Sequence, residues 1–121
     1  MKHFLSLEEH SVDGLRTILD RAVELKASRG DETSQPLKGQ TWGLIFSKSS
    51  TRTRVSFEAG MNQMGGSAIF LSPQDSQLGR GEPEGDTAMV LSRMVDAIMV
   101  RTFEHKLIER MAEYSSVPVI N

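Results

Sequence analysis

The chain has 121 residues, of which 38% are hydrophobic and 25% are charged, enough for one ordinary hydrophobic core and too few for two. A formal charge of -2 gives no bulk electrostatic reason to expect nucleic acid or an anionic membrane as a partner. The absence of cysteine excludes disulfides, thiolate catalysis and Cys-ligated zinc, and it favours a reducing cytoplasm. No stretch approaches the roughly 18 apolar residues of a membrane helix, so neither export nor membrane insertion is expected.

The first half of the chain predicts a helix, a strand, a second helix and a second strand. Apolar residues between Ser11 and Arg29 recur at helical spacing, which predicts an amphipathic helix with Ser11 as its N-cap and Gly30 as its stop. The short apolar run over 41–46 lacks a helical period and predicts a buried strand. A helix over about 50–64 and a strand over 68–71 follow.

The second half continues the same alternation after a polar stretch over 72–85. Its patterns predict a helix over about 86–95, a strand over 97–100, a helix over 105–115 and a strand beginning near Val117. Strands that alternate with helices of this length predict an α/β fold: an open parallel sheet of about four strands with helices on both faces. No helix follows the last strand, so we expect the fold to be incomplete at Asn121.

The segment where the first predicted strand turns into the second helix carries most of the chemical information. Lys48, Arg52 and Arg54 crowd the helix N-terminus, and the first acid is Glu58. Because the helix dipole makes this end partly positive, acids are the usual residues there. Backbone N–H groups, the Arg52 guanidinium and three hydroxyls would together bind a doubly charged phosphate; the hydroxyls belong to Ser50, Thr51 and Thr53.

An alternative interpretation of this segment is a Ser50 cap with solvated arginines, in which Arg54 pairs with Glu58 one turn further on. It accounts for one arginine but leaves the concentration of hydroxyls and charge unexplained. The segment lacks the glycines of a P-loop or a dinucleotide turn, so nucleotide binding is not indicated.

Position in the predicted sheet supports a ligand site. Ligands of open parallel sheets lie outside the carboxyl ends of the strands, and the phosphate segment directly follows the first strand. Arg101 ends the third predicted strand, and the polar loop from Ser72 leaves the second. Taken alone, Arg101 is equally compatible with a surface arginine at a strand end; its convergence with Arg52 favours a function.

The run Ser50-Thr51-Arg52-Thr53-Arg54, followed by Ser56-Phe57-Glu58, resembles the carbamoyl-phosphate motif of the aspartate and ornithine carbamoyltransferase family. The resemblance extends over all 121 residues. It includes Ser76-Gln77-Leu78-Gly79, which together with the opening His3-Phe4-Leu5 is similar to the ornithine branch. Arg80 lies near the position of a lysine typical of the aspartate branch, so an aspartate carbamoyltransferase domain of pyrimidine synthesis stays open as an alternative.

This resemblance implies that Ser50, Thr51, Arg52 and Thr53 hold the phosphate and that Arg101 reaches both phosphate and carbamoyl oxygen. It makes Arg52 and Arg101 the catalytic residues. It also implies that Gln77 acts in the active site of a neighbouring subunit, in a homotrimer or higher homo-oligomer. Ser47 and Ser49 depart from the family's common Glu and Pro, which leaves the role of Lys48 open.

The family reaction implied is transfer of a carbamoyl group from carbamoyl phosphate to L-ornithine, giving L-citrulline and phosphate in arginine metabolism, without a metal or cofactor. Residues 1–121 would be an incomplete carbamoyl-phosphate-binding domain, since a His-Pro-x-x-Gln segment and a second, amino-acid-binding domain are missing. We therefore expect this chain alone to be inactive.

Two further alternatives are a non-catalytic phosphate-binding and trimerisation module and a general anion-binding regulator. His3, His10 and His105 are interpreted as surface or packing residues.

Overall fold

The computed structural model describes residues 3–72 and 83–121, and within them helices and strands alternate as the sequence predicts. A short 3-10 helix over Leu7–Glu9 precedes the first long helix. The elements in chain order are α1 (Val12–Ala27), β1 (Thr41–Phe46), α2 (Thr51–Gln63), β2 (Ser67–Leu71), α3 (Glu84–Leu91), β3 (Ala97–Arg101), α4 (His105–Tyr114) and β4 (Val119–Ile120).

The four strands form one parallel sheet in the order β2-β1-β3-β4, which sequence patterns alone did not determine. In the register between β1 and β3, Phe46 is paired with Arg101. In the register between β1 and β2, Ile45 is paired with Leu71. The carboxyl ends of β1, β2 and β3 therefore meet at one edge, as the sequence predicts for its candidate site.

Apolar residues cover both faces of the sheet because successive strand residues point to opposite sides. On one face, Leu44, Phe46 and Met99 pack with Phe57 of α2. On the other face a larger cluster joins the sheet to α3 and α4; its buried members are Ile45, Ala88, Val95, Ile98, Val100, Ile108, Met111, Ala112 and Val119. The prediction of helices on both faces is confirmed.

Helix α1 forms where the sequence predicts it, but none of its residues is buried. Its start is fixed by Ser11, whose Oγ accepts a hydrogen bond of 3.0 Å from the Gly14 N–H, as expected of an N-cap. Much of the apolar stripe is exposed within the described part of the chain, with Val12 78% and Val23 70% accessible, while Leu15 and Leu25 are half-buried. None of the helices within 3–72 and 83–121 has the length and apolar character of a membrane span.

The boundaries of α3 differ from the sequence prediction, and the turn after α2 depends on two glycines. Helix α3 begins at Glu84 and ends at Leu91, earlier at both ends than the predicted 86–95. Helix α2 is followed by Gly65, whose φ of 88° favours glycine. A Cβ on the next residue, Gly66, would lie 3.0 Å from the Leu37 carbonyl oxygen, so the turn into β2 depends on this close approach.

The N-terminal segment lies along the outer edge of β4. The Phe4 N–H donates to the Val119 carbonyl at 2.8 Å, and the Asn121 N–H donates to the Phe4 carbonyl at 2.9 Å. His3 Nδ1 accepts from the Val119 N–H at 3.1 Å. The ring of His10 stacks on Phe4 with centroids 4.5 Å apart. His3 thus has a hydrogen-bonding role and His10 a packing role at this end of the chain.

We expect Ser115→Ala to lower the free energy of unfolding by about 1–3 kcal/mol, the usual effect of leaving a buried polar group unsatisfied. The Ser115 side chain is only 3% exposed. Its hydroxyl donates to the Val117 carbonyl at 2.7 Å and accepts from the Val117 N–H at 3.2 Å. Urea denaturation measures the change. Ser116→Ala is the control, because that neighbour is exposed, and an equal effect of both substitutions would contradict the prediction.

Candidate functional site

The first turn of α2 is organised by a pair of hydroxyls. Ser50 is the N-cap, and its Oγ accepts from the Thr53 N–H at 3.3 Å. The Ser50 hydroxyl in turn donates to Thr53 Oγ1 at 2.9 Å. Thr53 Oγ1 therefore accepts this bond and keeps its own hydrogen available to donate to a ligand. The first N–H groups of the helix, including those of Thr51 and Arg52, have no intrahelical acceptor and add further donors.

Arg52 and Arg101 lie on the same hollow beside this turn. The hollow has a volume of about 540 Å³, and we call it the anion hollow; it is lined by Ser49, Ser50, Thr51, Arg52 and Arg101. The structure thus brings together all the predicted phosphate residues of α2 except Thr53, which lies in the same turn. The first turn of α2 contains no acid, and neither arginine has an ion pair within the described residues.

Arg101 reaches the hollow from the end of β3. Its Nε is buried and has no hydrogen-bond partner in the described part of the chain. Its backbone carbonyl accepts from the Ser47 N–H at 2.9 Å, which fixes the end of β3 against the segment that follows β1. A buried cationic donor without an acceptor is costly, so this arrangement indicates that an anion completes it.

Arg54 lies on the other side of the α2 N-terminus. Its Nε donates to Glu58 Oε1 at 3.1 Å, which is the ion pair of the alternative interpretation. Its Cζ lies 3.6 Å from the centroid of the Phe70 ring. A second, smaller hollow of about 180 Å³ includes Arg54 and Phe70 in its lining. For Arg54, pairing with Glu58 is therefore the observed state, whereas Arg52 has no such partner.

Lys48 is exposed, and its Nζ lies 5.2 Å from the centroid of the Phe103 ring, a cation–π contact. Phe103 itself is 75% exposed. Gln77, the remaining predicted site residue, lies outside the described residues, as does Arg80. His105 Nε2 is 3.4 Å from Glu109 Oε1 on the surface of α4, away from the anion hollow's lining.

Sequence reasoning missed the aromatic support beneath the α2 N-terminus. Phe46 is the last residue of β1 and Phe70 the next-to-last residue of β2, and their ring centroids are 5.4 Å apart. Ser49 was noted only as a departure from the family pattern, yet it lines both hollows. A usable signal was the phenylalanine near the end of each predicted strand, because adjacent parallel strands bring such positions together.

Fold and site define an α/β domain with an anion-binding edge, and comparison with known proteins places it in a family. Residues 2–121 match the family described as aspartate/ornithine carbamoyltransferase, carbamoyl-P binding domain. The chain belongs to this family. It is 60% identical over 122 residues to an ornithine carbamoyltransferase of Halorhodospira halophila, covering 100% of this chain and 41% of the relative. It is also 59% identical to an ornithine carbamoyltransferase of Nitrosococcus oceani, in an alignment that covers 98% of this chain and 40% of the relative.

Solved structures show the same likeness. The crystal structure of ornithine carbamoyltransferase from Burkholderia thailandensis has a TM-score of 0.91 and 52% identity, covering 100% of this chain and 42% of that one. The catalytic subunit of the M. jannaschii aspartate transcarbamoylase has a TM-score of 0.89 and 32% identity, and the match covers 100% of this chain and 40% of that subunit. The chain thus spans about 40% of the length of the curated relatives that it matches.

We expect Arg101→Met to weaken inorganic phosphate binding by about 1.5–3 kcal/mol, because a charge-assisted contact is lost. The same change should leave stability unchanged or raise it, since it removes a buried donor that lacks a partner. Phosphate titration and urea denaturation measure the two effects. Arg93→Met, at an exposed arginine beyond α3, is the control. Unaltered phosphate affinity in Arg101→Met would remove Arg101 from the site.

Proposed function

We propose that this chain is the carbamoyl-phosphate-binding part of an ornithine carbamoyltransferase. The observation that carries the proposal is the convergence of Arg52 and Arg101, neither paired with an acid in the described residues, on the N-terminus of α2. Carbamoyl phosphate is a small dianion with a neutral carbonyl group beside it. A hollow that offers two guanidinium groups, hydroxyls and free N–H groups suits both parts of such a ligand.

In this proposal the phosphate lies over the first turn of α2. Ser50, Thr51, Arg52 and Thr53 bind its oxygens through N–H, hydroxyl and guanidinium donors. Arg101 reaches across from β3 to both the phosphate and the carbamoyl oxygen. The buried, unpartnered Nε of Arg101 supports this role, because it requires an acceptor that the described protein residues do not supply.

The reaction joins a neutral amine to the carbamoyl carbon. The side-chain amine of L-ornithine attacks this carbon; a C–N bond forms, the bond to the phosphate oxygen breaks, and the proton lost by the amine leaves on the phosphate, giving L-citrulline and hydrogen phosphate. Negative charge grows first on the carbonyl oxygen and then on the leaving phosphate. Arg52, Arg101 and Thr53 are already in place, so they stabilise this charge more in the transition state than in the bound substrate.

Sequence identity supports ornithine rather than aspartate as the acceptor. The relatives named ornithine carbamoyltransferase are 60% and 59% identical to the chain, whereas the aspartate transcarbamoylase subunit is 32% identical. We also propose that residues 1–121 act with a second domain that binds the amino acid. The relatives support this, since they are more than twice as long as the chain.

Further parts of the proposal rest on the family resemblance. We propose a homotrimer, in which Gln77 of one subunit serves the anion hollow of the next, and a place in arginine biosynthesis. Cytoplasmic location stays a prediction from composition. The trimer matters most for the site, because it would add a polar side chain to a hollow that one chain forms from its own residues only in part.

We expect the chain to bind carbamoyl phosphate saturably and Arg52→Ala to weaken binding by about 1.5–3 kcal/mol, since one charge-assisted contact to a dianion is lost. Isothermal titration calorimetry with freshly dissolved carbamoyl phosphate measures the affinities. The control is Arg21→Ala, which removes an exposed arginine paired with Glu24 on α1.

Competition defines the ligand class in the same experiment. Carbamoyl phosphate should bind more tightly than inorganic phosphate, because Arg101 has a carbonyl oxygen to contact as well. Equal affinity for carbamoyl phosphate, phosphate and sulfate would contradict the proposal and favour a general anion-binding protein. Citrulline formation by this chain with both substrates would show that no second domain is needed for catalysis.

Gln77→Ala should weaken carbamoyl phosphate binding only where the chain is trimeric. Mixing Gln77→Ala with Arg52→Ala chains should then restore tight binding in about a quarter of the sites formed by random assembly, because each site would draw on two subunits. Calorimetry on the mixture, with sedimentation to establish the assembly, measures this. Mixed trimers with no restored sites would contradict sharing of the site.

A further inference from the structure

Arg54 belongs to the same motif as Arg52 but has a different environment. Two residues along an α-helix correspond to a rotation of about 200°, so the two side chains leave the helix on nearly opposite sides. Arg52 lines the anion hollow, and Arg54 is not among its lining residues. Arg54 lies instead between Glu58, one turn along the same helix, and Phe70 of β2.

The contact between Arg54 and Phe70 links the start of α2 to the sheet. The guanidinium carbon lies 3.6 Å from the ring centroid, well within the range of a cation–π contact. Glu58 holds the Nε of the same group at 3.1 Å, which fixes its orientation on the ring. Arginine suits this position because its planar group can stack on an aromatic face and still donate hydrogen bonds from its edge.

The linkage continues through the sheet to the second arginine of the hollow. The ring of Phe70 packs against that of Phe46, with centroids 5.4 Å apart. Phe46 is the last residue of β1 and is paired in register with Arg101. An uninterrupted set of contacts therefore runs from Arg54 through Phe70 and Phe46 to the end of β3.

The contacts that Arg54 already makes favour a positioning role over direct ligation of an anion. Its guanidinium already has an acceptor in Glu58 and a π-face in Phe70, whereas Arg52 has neither within the described residues. Arg54 is not among the residues that line the anion hollow, and the two contacts hold its guanidinium on the Phe70 side of the helix. The contact with Phe70 ties the first turns of α2 to β2, the neighbour of β1 in the sheet.

We propose that Arg54, stacked on Phe70 and oriented by Glu58, is a positioning residue that sets the first turn of α2 against Arg101, so that the anion hollow is formed before its ligand arrives. The inference rests on the proposed function only in its choice of carbamoyl phosphate as the ligand. It concerns the geometry of the hollow, and inorganic phosphate can report on it separately.

A double-mutant cycle between Arg54 and Phe70 tests the proposal. Arg54→Met and Phe70→Leu should each weaken binding about fivefold, the factor expected from one cation–π contact. The double variant should be hardly weaker than either single variant, because both remove the same contact. Phe70→Tyr keeps the aromatic face and should bind like the unaltered chain. Calorimetry with carbamoyl phosphate and, separately, with inorganic phosphate measures the affinities of these four variants and of the unaltered chain.

Matched controls separate this contact from general effects. Arg21→Met removes an exposed, paired arginine from α1, and Ile69→Val changes the exposed neighbour of Phe70 on β2. Both should leave the affinity unchanged. Circular dichroism and urea denaturation confirm that each variant is folded at the concentrations titrated.

Three outcomes would overturn the proposal. If Arg54→Met weakens binding and Phe70→Leu does not, Arg54 contacts the anion directly. If both variants lower the urea midpoint but the folded chains bind normally, the contact serves stability alone. If the effects of the two substitutions add fully, they act independently. Loss of carbamoyl phosphate specificity with a non-additive cycle in inorganic phosphate would instead refute the proposed function and support the positioning role.

Discussion

Positive charge concentrated at the N-terminus of α2 is the constraint on which the site depends. The helix dipole and free N–H groups already make this end positive, and the sequence adds Arg52 rather than an acid. The parallel register then places Arg101 at the same edge. The helix N-terminus and both arginines favour an anion, and the Arg101 Nε is buried without a partner in the described residues, so the site's own charge indicates the charge of its ligand.

The charged site lies at the edge of a sheet that is stabilised by apolar packing on both faces. Leu44 and Ile98 are fully buried at the centre of neighbouring strands. Their packing fixes the register of β1 against β3, and this register places Phe46 beside Arg101 at the carboxyl ends of the two strands. Thus the stability of the core and the geometry of the hollow depend on the same strand register, while the charged residues lie at the edge, where a ligand can reach them.

The order of helices and strands could be predicted from sequence because hydrophobic periodicity and cap residues are local signals. Ser11 is predicted as the N-cap of α1, and a Ser50 cap belongs to the alternative interpretation of the phosphate segment; both side chains accept the N–H bond of a cap. The early end of α3 was missed since apolar residues continue to Val95, which serves the core from outside the helix. Strand order and the stacking of Arg54 on Phe70 depend on contacts between distant segments, which periodicity does not encode.

Arg52 and Arg54 show how one motif can contain two kinds of arginine. Their spacing places them on opposite sides of a helix, and the neighbouring strands differ: β3 ends in Arg101 on one side, and β2 carries Phe70 on the other. An arginine beside another cation and without an acid partner in the described residues suits an anionic ligand, whereas one beside an aromatic ring and a glutamate already has partners. The motif therefore contains one arginine, Arg52, that is available to a ligand and a second, Arg54, that positions the first turn of the helix.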